Sequence, residues 1–295
     1  MDDQEFIMTN QELKEHFFLE LVEIYPENEI QSFFHILIQH RLKLSRVQFA
    51  LNYQVTLNKE DTVYFQKSII DLKHYRPIQY IMGTTEFFGL QFAVNPSVLI
   101  PRPETEELVD WIINDYKEAS SNLKNPQIRI LDIGTGSGCI AISLAKNLPN
   151  TEIYALDVAP EIIALAKKNS KHNKCKINFI ELDILSTDIL PYKFDIIVSN
   201  PPYVREQEKD QMQANVIKNE PHLALFVKNE NPLIFYDKIS DLAKLSLNSK
   251  GALYFEINQY LGENMISLLK SKGFKDIELR KDILGVDRMI RSFKK

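Results

Sequence analysis

Ile128-Arg-Ile-Leu-Asp-Ile-Gly-Thr-Gly-Ser-Gly138 is the stretch on which the fold of this chain turns. Its first six residues suit a buried parallel strand ending at Ile133. Gly134, Gly136 and Gly138 then alternate with Thr135 and Ser137 in a tight turn whose backbone can approach a ligand closely. Cys139 to Leu148 follows as a helix with Ile140, Leu144 and Leu148 on one face. Strand, glycine turn and helix in this order predict an α/β sheet with a ligand at the helix amino terminus.

Downstream, Glu152-Ile-Tyr-Ala-Leu156 reads as a second strand ending on Asp157, 23 residues after Gly134, where a carboxylate meets ribose hydroxyls. Pro160 opens another helix, and Ile177 to Ile180 is a third strand leading to Asp183 and Ile184. The fourth is Asp195-Ile-Ile-Val-Ser-Asn-Pro-Pro-Tyr203. Two consecutive prolines supply no backbone donors and keep Asn200 out of helix, so a rigid carboxamide-plus-aromatic tip stands at the strand's carboxyl edge. Ligands of open α/β sheets bind at that edge, which makes the tip a candidate active site. A glycine loop alone also suits dinucleotide enzymes. Asp132, however, places a carboxylate under the loop, where it would repel a pyrophosphate but hold the ammonium of S-adenosylmethionine (SAM). With Asp157 for ribose and Asp183 near the adenine edge, the set suits a cationic sulfonium ligand. Helix capping by an acidic strand end is the plain alternative for any one of the three.

Upstream, residues 1–75 read as a helical bundle. Thr9 to Glu12 has the form of a capping box, Leu13, Phe17, Leu21 and Ile24 follow at helical spacing, and no glycine occurs before Gly83. Its aromatics read as core, and its histidines are scattered, so the bundle carries no catalytic constellation and is read as a substrate-binding domain. Residues 76–98 change period, with apolar positions at 88, 90, 92 and 94 as in a hairpin linker. In Leu99-Ile-Pro-Arg-Pro-Glu-Thr-Glu106, Pro103 starts a helix with Leu108, Trp111 and Ile112 inward. That loop is either an acidic helix start or a lid over a pocket, and residues 99–295 form the catalytic domain.

The 295 residues carry 25% charged and 44% hydrophobic side chains and a net charge of −5, which argues against a broad nucleic-acid footprint. Cys139 and Cys175 form neither a disulfide framework nor a zinc pattern, so no metal and a reducing cytoplasm are expected. Met1 to Glu5 lacks signal-peptide character, and no membrane span is expected.

Asp132-Ile-Gly-Thr-Gly-Ser-Gly138, Asp157, Asp183 and Asn200-Pro201-Pro202-Tyr203 together resemble class I SAM-dependent methyltransferases of the amino-methylating branch. More narrowly, Arg76-Pro-Ile-Gln-Tyr-Ile-Met-Gly83, Glu86-Phe87, Phe88-Gly89, Leu99 to Glu106, Glu220-Pro221 and Ala224-Leu225 resemble the PrmC/HemK family. The resemblance covers about residues 76–295, and Lys281 to Arg288 is similar to the family's carboxyl-terminal strand pair. It implies a Rossmann-like seven-stranded sheet with a small helical bundle joined by a β-hairpin. It also implies methylation of the amide N5 of the glutamine in the Gly-Gly-Gln motif of peptide-chain release factors; a cytoplasmic monomer without direct nucleic-acid binding is expected. Two departures stand out: Val227 to Leu233 replaces the usual glycine-rich turn, and Asn258 stands where a glycine is expected.

An amide nitrogen is a poor nucleophile because its lone pair is delocalised. The Asn200 side-chain oxygen and the Pro201 carbonyl are expected to take one N–H each and aim it, with Tyr203 over the amide plane. No His or Lys occurs in 195–204, which fits a mechanism without a dedicated base. The rival enzymatic reading is a nucleic-acid methyltransferase acting on adenine N6 or guanine N2, because the same tip serves a flipped base. A non-catalytic module retaining a SAM pocket is a third.

Overall fold

The computed structural model describes residues 8–121 and 127–295. The reading of Met1 to Glu5 falls outside them. The chain forms two compact units, one of residues 1–83 with 213–219, the other of 84–212 with 220–295.

The first unit is helical: α1 (Asn10–Leu21), α2 (Glu27–Leu42), α3 (Arg46–Leu51), α4 (Lys59–Lys73) and α5 (Ile78–Met82). The Thr9 hydroxyl accepts from the Glu12 amide and the Glu12 carboxylate accepts from the Thr9 amide, so the capping box forms and α1 starts where the sequence predicts. Leu13, Phe17 and Leu21 then meet Ile30, Phe34 and Leu37 of α2 and Phe65, Ile69 and Leu72 of α4 in one apolar core. Edge-on aromatic pairs such as Phe17–Phe34 and Phe34–Phe49, each with centroids 5.2 Å apart, fill it. Asn219 of the returning segment donates to the Tyr75 carbonyl at 2.9 Å.

In the second unit, β1 (Thr84–Phe87) and β2 (Leu90–Ala93) pair as an antiparallel hairpin, then α6 (Pro103–Ser121) leads to the sheet. Along the chain follow β3 (Ile128–Ile133), α7 (Cys139–Asn147), β4 (Thr151–Asp157), α8 (Pro160–His172), β5 (Asn178–Glu181) and β6 (Phe194–Ser199). A short strand β7 (Val204–Arg205), a 3-10 turn, α9 (Ala214–Asn219, in the first unit), α10 (His222–Leu225) and β8 (Phe226–Val227) come next. The chain ends with α11 (Ile234–Ser246), β9 (Leu247–Glu256), α12 (Gly262–Ser271), β10 (Lys275–Lys281) and β11 (Asp287–Phe293).

The seven strands lie in the order β10-β11-β9-β6-β3-β4-β5, parallel except at β11, which runs antiparallel to both neighbours. The seven-stranded α/β sheet anticipated from the sequence is therefore present. Both faces are apolar, as parallel strands covered by helices require. Ile130, Ile153, Ala155, Ile196, Val198 and Tyr254 face one core with residues of α6 and α7, while Leu131, Leu156, Ile197, Leu253 and Phe255 face another with residues of α11 and α12. The hairpin is tied to α8 because the Asn169 carboxamide accepts from the Ala93 amide at 2.7 Å and donates to its carbonyl at 2.9 Å. Among the described residues no helix is long and apolar enough to cross a membrane.

Candidate active site at the carboxyl edge of the sheet

Register brings the candidate residues to one edge. Ile133 pairs with Leu156 and with Ser199, and Ser199 pairs with Phe255, so the glycine loop, Asp157, Asn200 and Glu256 all follow at the strands' carboxyl ends. The Ser199 hydroxyl donates to the Ile133 carbonyl at 2.7 Å and locks β6 to β3 one residue before the tip.

The loop adopts the backbone that its glycines permit. Gly136 has φ +54° and a Cβ there would meet nothing within 4 Å, whereas at Gly138, with φ +83°, it would stand 3.0 Å from Ile142 Cδ1 and 3.4 Å from Ala166 Cβ. Gly136 thus opens onto free space and Gly138 lets α7 and α8 approach. Asp132 is fully buried beneath them: its Oδ2 accepts from the Thr135 hydroxyl at 2.6 Å and the Ala141 amide at 3.3 Å, while Oδ1 has no partner among the described residues. Burial pushes this carboxyl up to about 7, partly offset by Thr135 and Ala141. A buried carboxylate oxygen without a donor is a seat for a cation or an N–H group. Ser137 is buried, and its carbonyl accepts from Asn169 Nδ2 at 2.8 Å.

Asp157 ties its strand to the loop, accepting from the Gly136 amide at 2.9 Å and the Val158 amide at 2.8 Å. Burial raises its carboxyl, and those amides hold it back. Asp183 lies exposed in the turn after β5, where its Oδ1 accepts from the Leu185 amide at 2.9 Å; Ile184 beside it is buried.

At the tip, Asn200 is half-buried and donates from Nδ2 to the Thr105 hydroxyl at 3.2 Å; among the described residues its Oδ1 and the Pro201 carbonyl have no partner. Pro201 is buried and Pro202 half-buried. The Tyr203 ring is half-buried, and its hydroxyl donates to Glu256 Oε1 at 3.0 Å; burial and that carboxylate push the phenol well above its ordinary range. Two unpaired acceptors beside a fixed ring can take both hydrogens of a planar NH2 group.

Residues beyond the glycine loop, the acidic strand ends and the tip pack around the candidate site. Thr105, in the first turn of α6, donates to Glu256 Oε2 at 2.6 Å. Glu256 is buried, which raises its carboxyl, while Thr105, Tyr203 and the positive charge of Arg288 lower it. The loop at 99–106 is anchored: the Arg102 guanidinium bonds buried Glu220 at 2.6 Å and the Ile100 amide reaches its other oxygen at 3.3 Å. Asn258 is tied in by its side chain, donating to the Tyr203 carbonyl at 3.0 Å and to Glu208 at 2.9 Å. The segment from Val227 begins in a strand paired with β7, directly after the tip.

A family model described as "Methyltransferase small domain" matches residues 120–230, and one described as "PrmC N-terminal domain" matches residues 12–83. The chain is 52% identical over 271 residues to the release factor glutamine methyltransferase of Flavobacterium psychrophilum, covering 92% of this chain and 94% of that one. This chain belongs to the release factor glutamine methyltransferases. The relative of that name from Bacteroides thetaiotaomicron is 43% identical over 92% of this chain and 95% of its own. Among solved structures, human methyltransferase 10 domain containing protein superposes with a TM-score of 0.51 at 20% identity, covering 70% of this chain and 90% of that one, a likeness of fold.

In this member of the release factor glutamine methyltransferase family, the sequence marks the loop, the acidic strand ends and the tip as candidate site residues, and the structure adds Thr105, Glu256 and Asn258 as their hydrogen-bonded neighbours. Glu256 carried one local signal: a carboxylate ending the apolar run Leu253-Tyr254-Phe255 at the edge where ligands bind.

Proposed function

We propose that this chain transfers the methyl group of SAM to the side-chain amide N5 of the glutamine in the Gly-Gly-Gln motif of peptide-chain release factors. The observation that carries this is the 52% identity to a release factor glutamine methyltransferase over nearly the whole of both chains. SAM supplies an electrophilic methyl on a positively charged sulfur. The residues present fit it: the partnerless Oδ1 of Asp132 suits its ammonium, and the space before Gly136 admits a ligand against the backbone. Gly134 to Gly138, with Thr135 and Ser137, would cradle its amino-acid end, Asp157 would take the ribose, and Asp183 with Ile184 would border the adenine.

Asn200 Oδ1 and the Pro201 carbonyl accept the two amide hydrogens of the substrate, fixing the nitrogen's position and concentrating electron density on it. Tyr203, anchored through its hydroxyl, packs its ring against the amide plane. The buried Glu256 is engaged by two hydroxyls and serves to hold the site rather than to remove a proton; as the N–CH3 bond forms and the S–CH3 bond breaks, the nitrogen sheds one proton, which leaves to solvent. The partner is a protein and the chain acts as a cytoplasmic monomer; nucleic acid is not its substrate, a reading that the net charge of −5 supports.

The test is mass spectrometry of a purified release factor after incubation with the chain and SAM. One added methyl on the Gly-Gly-Gln glutamine is expected, with no label from tritiated SAM on tRNA, rRNA or DNA. Label on a nucleic acid and none on the release factor would overturn the reading. Asn200→Ala should lower turnover on the order of a hundredfold while SAM affinity stays within a few fold.

A further inference from the structure

We propose that Glu256 and Thr105 determine which end of the Asn200 carboxamide faces the substrate, an inference that rests on the reading of Asn200 as the amide acceptor. The two ends of a carboxamide are nearly equal in size, so packing cannot tell them apart, yet only the oxygen can accept the substrate's N–H. With the group reversed, an NH2 would confront an NH2. Some neighbour must therefore impose the orientation.

The neighbour is a chain of hydrogen bonds with one direction. Glu256 closes β9 beside Asn200 because Ser199 and Phe255 are in register. Both of its carboxylate oxygens accept, Oε1 from the Tyr203 hydroxyl at 3.0 Å and Oε2 from the Thr105 hydroxyl at 2.6 Å. Its strand end is fixed by the Tyr236 hydroxyl, which donates to the Glu256 carbonyl at 3.0 Å. A hydroxyl has one proton, and that of Thr105 points to Glu256. Thr105 can then offer Asn200 only a lone pair, so Asn200 presents Nδ2 to it, at 3.2 Å, and Oδ1 is left for the substrate. Thr105 is buried, which keeps water from exchanging into this position. Both residues are positioning residues: they act through Asn200 and touch no reacting atom.

The experiment uses the full chain, a purified release factor and tritiated SAM. Thr105→Val keeps the shape and removes the hydroxyl; it should lower kcat about tenfold or more, with the Kd for SAM within about twofold. Thr105→Ser restores the hydroxyl and should recover kcat to within about threefold of the wild type. In an Asn200→Ala background, Thr105→Val should have no further effect, since the group it orients is gone. Wild-type kcat in Thr105→Val, or the same fractional loss in both backgrounds, would overturn the relay. If Thr105→Val loses SAM affinity, Thr105→Ala against Thr105→Ser makes the same comparison. Wild-type turnover in Asn200→Ala alone would instead overturn the reading of Asn200, and the relay with it.

Discussion

Asp132 carries an electrostatic conflict within the site: a carboxyl with no exposure, one oxygen satisfied and the other not. Burial raises it from an ordinary 3.8 to about 7, so the folded, ligand-free chain binds a proton that the unfolded chain releases near pH 4. The associated stability is present below about pH 4 and is lost as pH rises through about 7. An ammonium seated on Oδ1 would favour the ionised form, so SAM binding there would expel this proton. Calorimetric titration between about pH 5.5 and about pH 7.5 should therefore show the Kd for SAM falling as pH rises, with proton release at the acid end. Asp132→Asn should bind more weakly and flatten that profile; an unchanged slope in this variant would remove Asp132 from the ammonium site.

At the scale of the element, the turn between β3 and α7 divides its labour between two glycines. Gly138→Ala forces a Cβ to within 3.0 Å of buried Ile142 at a left-handed backbone, so it should lower stability by about 1–3 kcal/mol in urea titration. Gly136→Ala meets no atom within 4 Å. It should lose only about 1–2 kcal/mol of backbone conformational energy yet bind SAM poorly, because its methyl projects into the cradle. Equal SAM affinity in the two variants would show that the space before Gly136 holds no ligand. The loop at 99–106, open between a helix start and a lid on sequence grounds, is an anchored helix start, clamped by Arg102 and Ile100 onto Glu220. Glu220→Ala strips the Ile100 amide of its partner and should cost roughly 1–3 kcal/mol.

At the scale of the whole molecule, the single tryptophan, Trp111, is buried against Tyr254 in the second unit and reports that unit's unfolding. Followed by its fluorescence in urea, SAM at a hundredfold excess over its Kd should stabilise the second unit by about 2.7 kcal/mol; no shift would mean that SAM does not bind the native unit. The same division into local and distant interactions explains what could be read from the chain. The glycine loop, the capping box at Thr9 and the double proline after Asn200 were legible because each is fixed by residues a few positions apart: backbone torsion, missing donors, helical period. By itself the sequence therefore determined the α/β unit, the helical bundle and the tip. Thr105 meets Asn200 across 95 residues, Glu256 across 151, and Arg102 meets Glu220 across 118. Only the tertiary structure decided these partners, since strand register and the helix that covers each face select them, and neither leaves a local trace in composition or period.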